Sequence, residues 1–249
     1  MTTGTFFTDR NHIPDGIGFA HFDATHLIFL CGIIVGIVCI SALYRRAGEK
    51  MRGRLRVAVA GIVLALEITK QMLCAFLGVY DWNILPLHLC GITIIVIAIH
   101  TARPTAFTGE FLYSLSVPGA VMALLFPDWT MYPPANFFCL QSFIIHMFEI
   151  AYPVMLLCAG ELRPNARRLW MPLVFMLAIT PPIFLLNRAL GTNFFFLSEP
   201  APGSPLSMLE SLLGSPGYIF GTIGILAAVW LLLYAPLYIA RRLRKKVVK

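Results

Sequence analysis

Seven polar side chains stand inside stretches that are otherwise apolar: Glu67, Lys70, His88, Cys90, Gln141, His146 and Glu149. Their types suit a definite chemistry. A thiol in apolar surroundings is inert, but a neighbouring histidine can take its proton and make it a nucleophile. Carboxylates and a lysine beside such a pair can form ion pairs or relay protons. Ionisable groups at membrane depth are costly and mark a functional site by default. His88, Cys90, His146 and Glu149 are also zinc-ligand types, yet no HExxH or HxxxH spacing joins them. No metal or cofactor is therefore expected.

The elements that must carry these groups follow from composition. The 249 residues are 58% hydrophobic and only 12% charged, with a mean hydropathy of +0.79. That excludes an ordinary soluble domain and predicts an all-α polytopic membrane protein. Seven stretches are long enough to span a bilayer, near 24–44, 55–78, 85–101, 107–126, 136–160, 167–190 and 216–240. They read as one domain covering residues 1–249, with no linker, repeat or signal peptide. Residues 1–23 read as an irregular outer cap, and 191–215 as a long apolar connection able to fold back into the membrane interface. Six cysteines without a CxxC pair indicate no disulfide framework.

The net charge of +7 is unevenly distributed. Sixteen of nineteen basic residues fall on one side of the predicted bundle: Arg45–Arg56, Arg103, Arg163–Arg168 and the tail Arg241–Lys249. This arrangement predicts an outside N-terminus, a cytoplasmic C-terminus and contact of the basic face with anionic lipids, not nucleic acid.

Helix direction then sorts the polar groups by depth. Glu67 lies roughly 18 Å along span two, with Lys70 and Gln71 on the same face. Cys90 lies within about two turns of the outer surface on span three, and His146 is about 15 Å down span five. These groups predict a polar cavity in the outer half of the membrane. Glu67 and Lys70 read as an intrahelical ion pair, with Glu149 as an alternative partner for Lys70. His88 and Cys90 are two residues apart, about 200° round a helix, so His88 faces elsewhere, near Asp81. The base for Cys90 then has to come from another helix, and His146 is the histidine well inside one. His26 and His100 read as interfacial, as do Trp129 and Tyr132.

Three motifs resemble the YwaF-like family of bacterial integral membrane proteins: Leu85-Pro-Leu-His-Leu-Cys90, Tyr132-Pro-Pro-Ala-Asn136 followed by Gln141 to His146, and Gly191-Thr-Asn-Phe-Phe-Phe-Leu197 with Gly203-Ser-Pro-Leu206. That family is remotely similar to the animal transmembrane protein 164, a lipid acyltransferase. The resemblance implies seven helices in the bacterial cytoplasmic membrane, Cys90 as acyl-accepting nucleophile and His146 as its base. A phospholipid acyltransferase or transacylase is expected, with a phospholipid or lysolipid as substrate, and with lipase activity if water replaces the acceptor. Gln141 or Asn193 is the expected oxyanion donor, with His88 near the substrate. Glu67, Lys70 and Glu149 form the polar floor. Two other classes use the same residues: a small-solute or proton-coupled transporter built on the midplane charges, and a scaffold in which they are interhelical glue.

Overall fold

A computed structural model describes residues 4–247, with side chains described from 4 to 239. The basic tail, Arg241 to Lys249, lies outside the described side chains. All the regular structure among the described residues is helical: α1 (Ala24–Arg46), α2 (Glu49–Phe76), α3 (Leu89–Ala102), α4 (Ala106–Leu125), α5 (Phe137–Cys158), α6 (Trp170–Leu190), α7 (Pro205–Leu213) and α8 (Gly217–Val247), with short 3-10 turns between them. Seven helical segments are long and apolar enough to cross a membrane.

The helix ends follow their sequence signals. Asp23 caps α1 by accepting from the His26 amide, and Arg45 and Arg46 occupy its last turn, where the helix dipole favours cations. Asn136 caps α5, accepting from Phe138 N–H at 2.8 Å. Its amide nitrogen donates to Thr5 and Thr8 carbonyls at 2.8 and 2.9 Å, which ties the N-terminal cap to the bundle. Gly191 ends α6 at φ 66°, the left-handed position where glycine costs least.

α5 is the central column, with α1 along one side. Phe29 of α1 stacks on Phe143 at 4.3 Å. At Gly36 a Cβ would meet the Met147 sulfur at 2.8 Å, so the helices approach closely there and a larger residue would have to displace that side chain. α4 and α5 are the most buried spans, and α6 and α8 among the least.

Two prolines in these central helices remove backbone donors, and the fold answers each. Pro153 in α5 cannot donate to the Glu149 carbonyl; Ser116 Oγ donates there instead, at 3.1 Å. Pro118 in α4 cannot donate to the Ser114 carbonyl, which Trp230 Nε1 takes at 2.9 Å. Just before Pro118, Leu112–Ser116 winds as a π-turn, closed by Val117 N–H on the Leu112 carbonyl. One extra residue per turn is common at functional sites. Here it presents Ser116 to the Glu149 backbone.

The structure corrects several expectations. α3 starts at Leu89, not 85, and Pro86 precedes the helix rather than opening it. α2 begins at Glu49, six residues before the predicted boundary. The 191–215 connection contains α7. His26 is fully buried, its Nε2 donating to the Leu124 carbonyl at 2.8 Å, and His100 is buried against Thr108 Oγ1 at 2.7 Å. Both rings point into the protein at the ends of their helices.

Candidate functional site

The connection between α2 and α3 positions Cys90. From Phe76 the chain turns through Val79 and Tyr80, makes a 3-10 turn at Trp82–Ile84, and descends beside α2. The Ile84 carbonyl accepts from Gln71 Nε2 at 2.6 Å. Gln71 lies five residues back from the end of α2, so the connection has sunk about 8 Å into the bundle by Ile84. Gln71 also donates to Glu67 Oε1 at 2.6 Å and accepts from Tyr80 OH at 2.8 Å. α3 therefore begins below the end of the bundle and is only 14 residues long.

Cys90 is the second residue of α3, half-buried. First-turn N–H groups have no intrahelical acceptor, and none of those of Leu89, Cys90 and Gly91 bonds a backbone carbonyl among the described residues. Gly91 itself is required: a Cβ there would stand 2.3 Å from the Pro86 carbonyl oxygen. The Pro86–Gly91 contact is what folds the loop tightly onto the helix start.

His88 occupies the N-cap position with extended backbone, φ −66° and ψ 160°. The helical 200° offset from Cys90 therefore does not apply to it. Its ring packs edge-on against Phe194 at 5.3 Å and against Phe196 at 5.4 Å. Asp81 is not its partner; that carboxylate caps the Asn83 N–H at 2.6 Å. The electrostatic neighbours of His88 are Lys70 and His146.

α5 supplies His146 and Glu149, three residues apart and so on one face. His146 Nδ1 lies 2.7 Å from the Ser142 carbonyl oxygen. A carbonyl only accepts, so Nδ1 carries the proton and Nε2 is the open basic nitrogen of the neutral ring. Trp129 stacks on His146 at 5.2 Å and 16° and is buried. It is a roof over the imidazole, not an interface anchor. Glu149 is almost completely buried, and its Oε1 has no hydrogen-bond partner among the described residues. Glu149, Lys70 and Glu67 are the charges that reach Cys90. Lys70 also reaches His146. Lys70 is the charge common to the surroundings of Cys90, His88 and His146.

Lys70 Nζ pairs with Glu67 Oε2 at 2.9 Å, as the i,i+3 spacing predicted. Glu149 is not its ion-pair partner. The oxyanion candidates are placed less favourably. Gln141 is buried, but five residues from His146 puts it about 140° round α5. Asn193 organises its own loop: Nδ2 donates to the Glu199 carbonyl at 2.8 Å, and Oδ1 accepts from Ser198 and Glu199 N–H groups.

That loop closes over His88. Asn187 holds Phe194 at both backbone groups, at 2.9 Å each, and Tyr218 OH donates to the Phe196 carbonyl at 2.8 Å. These bonds hold Phe195 and Phe196 at φ 59° and 53°, left-handed values costly for phenylalanine. Asn187, Trp129 and Gln71 position the site, a role that the sequence reading did not give them. Gln71 and Asn187 do carry a sequence signal, an amide inside an apolar span; Trp129 carries none.

The chain matches the TMEM164 family over residues 20–234, a stretch that contains the whole cluster. It belongs to the TMEM164 family. Comparison with curated proteins and comparison with solved structures each found no match. As a TMEM164 family member with seven membrane-long helices, it is a multi-pass membrane protein. The family match covers both halves of the cluster, the α2–α3 descent and the α5 face.

A cavity of about 700 Å³ lies at the other end of the bundle, where the α1–α2, α3–α4 and α5–α6 connections meet. Cys90 and His100, which lines that cavity, are ten residues apart on α3, about 15 Å along its axis.

Proposed function

We propose that this protein is a membrane-embedded phospholipid acyltransferase or transacylase, working through an acyl-cysteine at Cys90. The observation that carries the reading is Cys90 in the free first turn of a helix that starts inside the bundle, with the open Nε2 of His146 on the span packed against it. A helix N-terminus favours a thiolate, and its N–H groups suit an oxyanion.

In this mechanism His146 Nε2 takes the Cys90 proton and the sulfur attacks a phospholipid ester carbonyl. The tetrahedral oxyanion points at the α3 first-turn N–H groups. Collapse breaks the ester bond, and His146 returns its proton to the leaving lysolipid alkoxide. A second lysolipid hydroxyl then gives its proton to His146 and attacks the thioester, and the thiol is regenerated. Trp129 and the Ser142 carbonyl hold the imidazole in its tautomer. The Phe194–Leu197 stretch shapes the acyl-chain entrance. His88 lines the path to the sulfur, and Asn193 supports the loop above it.

The finer assignment is a YwaF-like bacterial member in the cytoplasmic membrane, its N-terminus outside and Cys90 in the outer leaflet. The Glu67–Lys70–Gln71 group is internally paired and also bonds the Ile84 carbonyl. This favours a scaffold that sets Cys90's depth over a carrier's exchangeable ion site.

The test uses purified protein in nanodiscs containing a phospholipid with an isotopically labelled acyl chain. Intact mass should rise by one acyl group at Cys90, and hydroxylamine should remove it. Cys90→Ala should abolish both labelling and exchange onto lysolipid. Exchange that persists in Cys90→Ala refutes the reading.

A further inference from the structure

Two segments bring four arginines to one cavity at the basic end of the bundle: Arg52 and Arg56 from the start of α2, and Arg163 and Arg168 from the segment before α6. Thr105 and Ala106, at the start of α4, form another part of the wall. The volume, about 700 Å³, lies within the range of small-molecule sites. It exceeds what a bare inorganic anion fills.

The arginines are held there by specific bonds. Glu161 accepts from Arg52 Nη1 at 3.2 Å, from Arg56 Nη1 at 3.0 Å and from Tyr44 OH at 2.6 Å. Arg52 is fixed further by the Tyr44 and Arg45 carbonyls, at 3.1 and 2.8 Å, with its guanidinium over the Tyr44 ring. One carboxylate therefore serves two guanidinium groups and leaves a positive charge uncompensated. Arg56 spends a single N–H on Glu161 and keeps the rest of its fork. The Arg168 guanidinium has no hydrogen bond or ion pair among the described residues.

The remaining acidic groups do not cancel this charge equally. Glu110 is buried, and its two oxygens accept from the Asn165 N–H and Tyr234 OH, each at 2.7 Å. It ties α4 to the α5–α6 connection and to α8. Glu49 is exposed in the first turn of α2. Meanwhile α4, 20 residues long, turns its N-terminal end toward the cavity, capped by Thr105. Guanidinium forks beside the positive end of a helix are the chemistry that holds phosphate.

We propose that this cavity binds a phosphate ester, gripped by Arg56 and Arg168 and backed by the N-terminal end of α4. The ester is either the headgroup of an anionic phospholipid or a soluble phosphate ester. The site is separate from the Cys90 cluster, about 15 Å away along α3, and does not rest on the acyl-transfer reading. Its occupant bridges α2, α4 and the α5–α6 connection, so binding stabilises the bundle.

Delipidated full-length protein in a non-ionic detergent separates the two sources. Thermal unfolding is followed while phosphatidylglycerol, phosphatidylcholine, glycerol 3-phosphate or inorganic phosphate is added, and native mass spectrometry counts retained ligands. Retention and a raised midpoint with phosphatidylglycerol but not phosphatidylcholine identify a lipid headgroup. The same response to glycerol 3-phosphate alone identifies a soluble ester. Arg168→Ala, an exposed change at the end of the 3-10 turn before α6, should weaken binding by about 10-fold or more while leaving the ligand-free midpoint unchanged. Arg56→Lys, which keeps the charge but loses the fork, should weaken it less. The proposal is overturned if no phosphate-bearing ligand is retained, or if Arg168→Ala and Arg56→Lys both bind like wild type.

Discussion

Gly91→Ala tests the site through its backbone. A Cβ at this position would stand 2.3 Å from the Pro86 oxygen, 2.5 Å from its carbonyl carbon and 2.7 Å from its Cα. All three atoms are backbone, so no side-chain rotation relieves the clash. Ordinary contact requires the Pro86 carbonyl and the helix start to separate by about 1 Å. A reacting group misplaced by about 1 Å can lose about 100-fold in rate, and overpacking of this kind costs roughly 1–3 kcal/mol of stability. Two glycine controls bracket the effect. At Gly119 the new methyl would meet the Leu89 side chain at 3.0 Å, which can yield, and at Gly32 it would meet nothing within 4 Å. The assay is the rate of Cys90 acylation by labelled phospholipid in nanodiscs, beside a thermal unfolding curve for each variant. Gly91→Ala should fold with a lowered midpoint and acylate about 100-fold more slowly. Gly32→Ala should match wild type. If Gly91→Ala acylates at the wild-type rate, the α3 start does not position the nucleophile and the argument from the descending loop fails.

Four further outcomes are expected. Trp129→Leu removes the ring stacked on His146 and should lower the acylation rate about 10-fold or more, with partial recovery in Trp129→Phe; equal rates in the three proteins would remove Trp129 from the site. Asn136→Ala deletes the α5 cap and the two bonds to Thr5 and Thr8, and should cost about 2 kcal/mol in unfolding free energy, measured by denaturant titration. Asp23 lies outside the membrane spans, and the His26 and Ala20 N–H groups hold its carboxyl below the usual carboxylate range. Its folded value is below its unfolded one, so its stabilisation is full above pH about 4 and is lost as pH falls through the folded value; amide exchange at His26 should speed up over that interval, and Asp23→Asn should abolish the pH dependence. Gln71→Leu breaks the bonds to the Ile84 carbonyl, Glu67 and Tyr80 and should slow acylation without preventing membrane insertion, which glycosylation-site mapping of the loops checks.

Hydropathy located the spans because a bilayer demands long apolar runs wherever a helix crosses, and the Glu67–Lys70 pair followed from spacing alone. The start of α3 was not legible in the same way. Residues 85–88 are apolar enough to read as helix, but the chain there is set by the Gln71 bond to Ile84 and the Pro86–Gly91 contact, one of them between distant segments. That misplacement carried over to His88, whose direction was argued from helical geometry it does not have. Trp129 failed for a related reason: tryptophan in an outer connection usually faces the interface, and only the packing of that connection on α5 buries it. The π-turn has no signature of its own, although Pro118 and Pro153 announce that two carbonyls need other donors.

On the acyl-cysteine reading proposed above, the descent of the chain before α3 also sets how wet the chemistry is. A sulfur on a helix starting flush with the end of α2 would sit among hydrated headgroups, where water competes with lysolipid for the thioester. Lowering the start by about 8 Å takes the sulfur toward the depth at which ester linkages give way to acyl chains and water becomes scarce. A lipid hydroxyl tethered at that depth then has the advantage over bulk solvent. The ratio of transfer to hydrolysis is thereby coupled to one side-chain amide, Gln71, which holds the connection down.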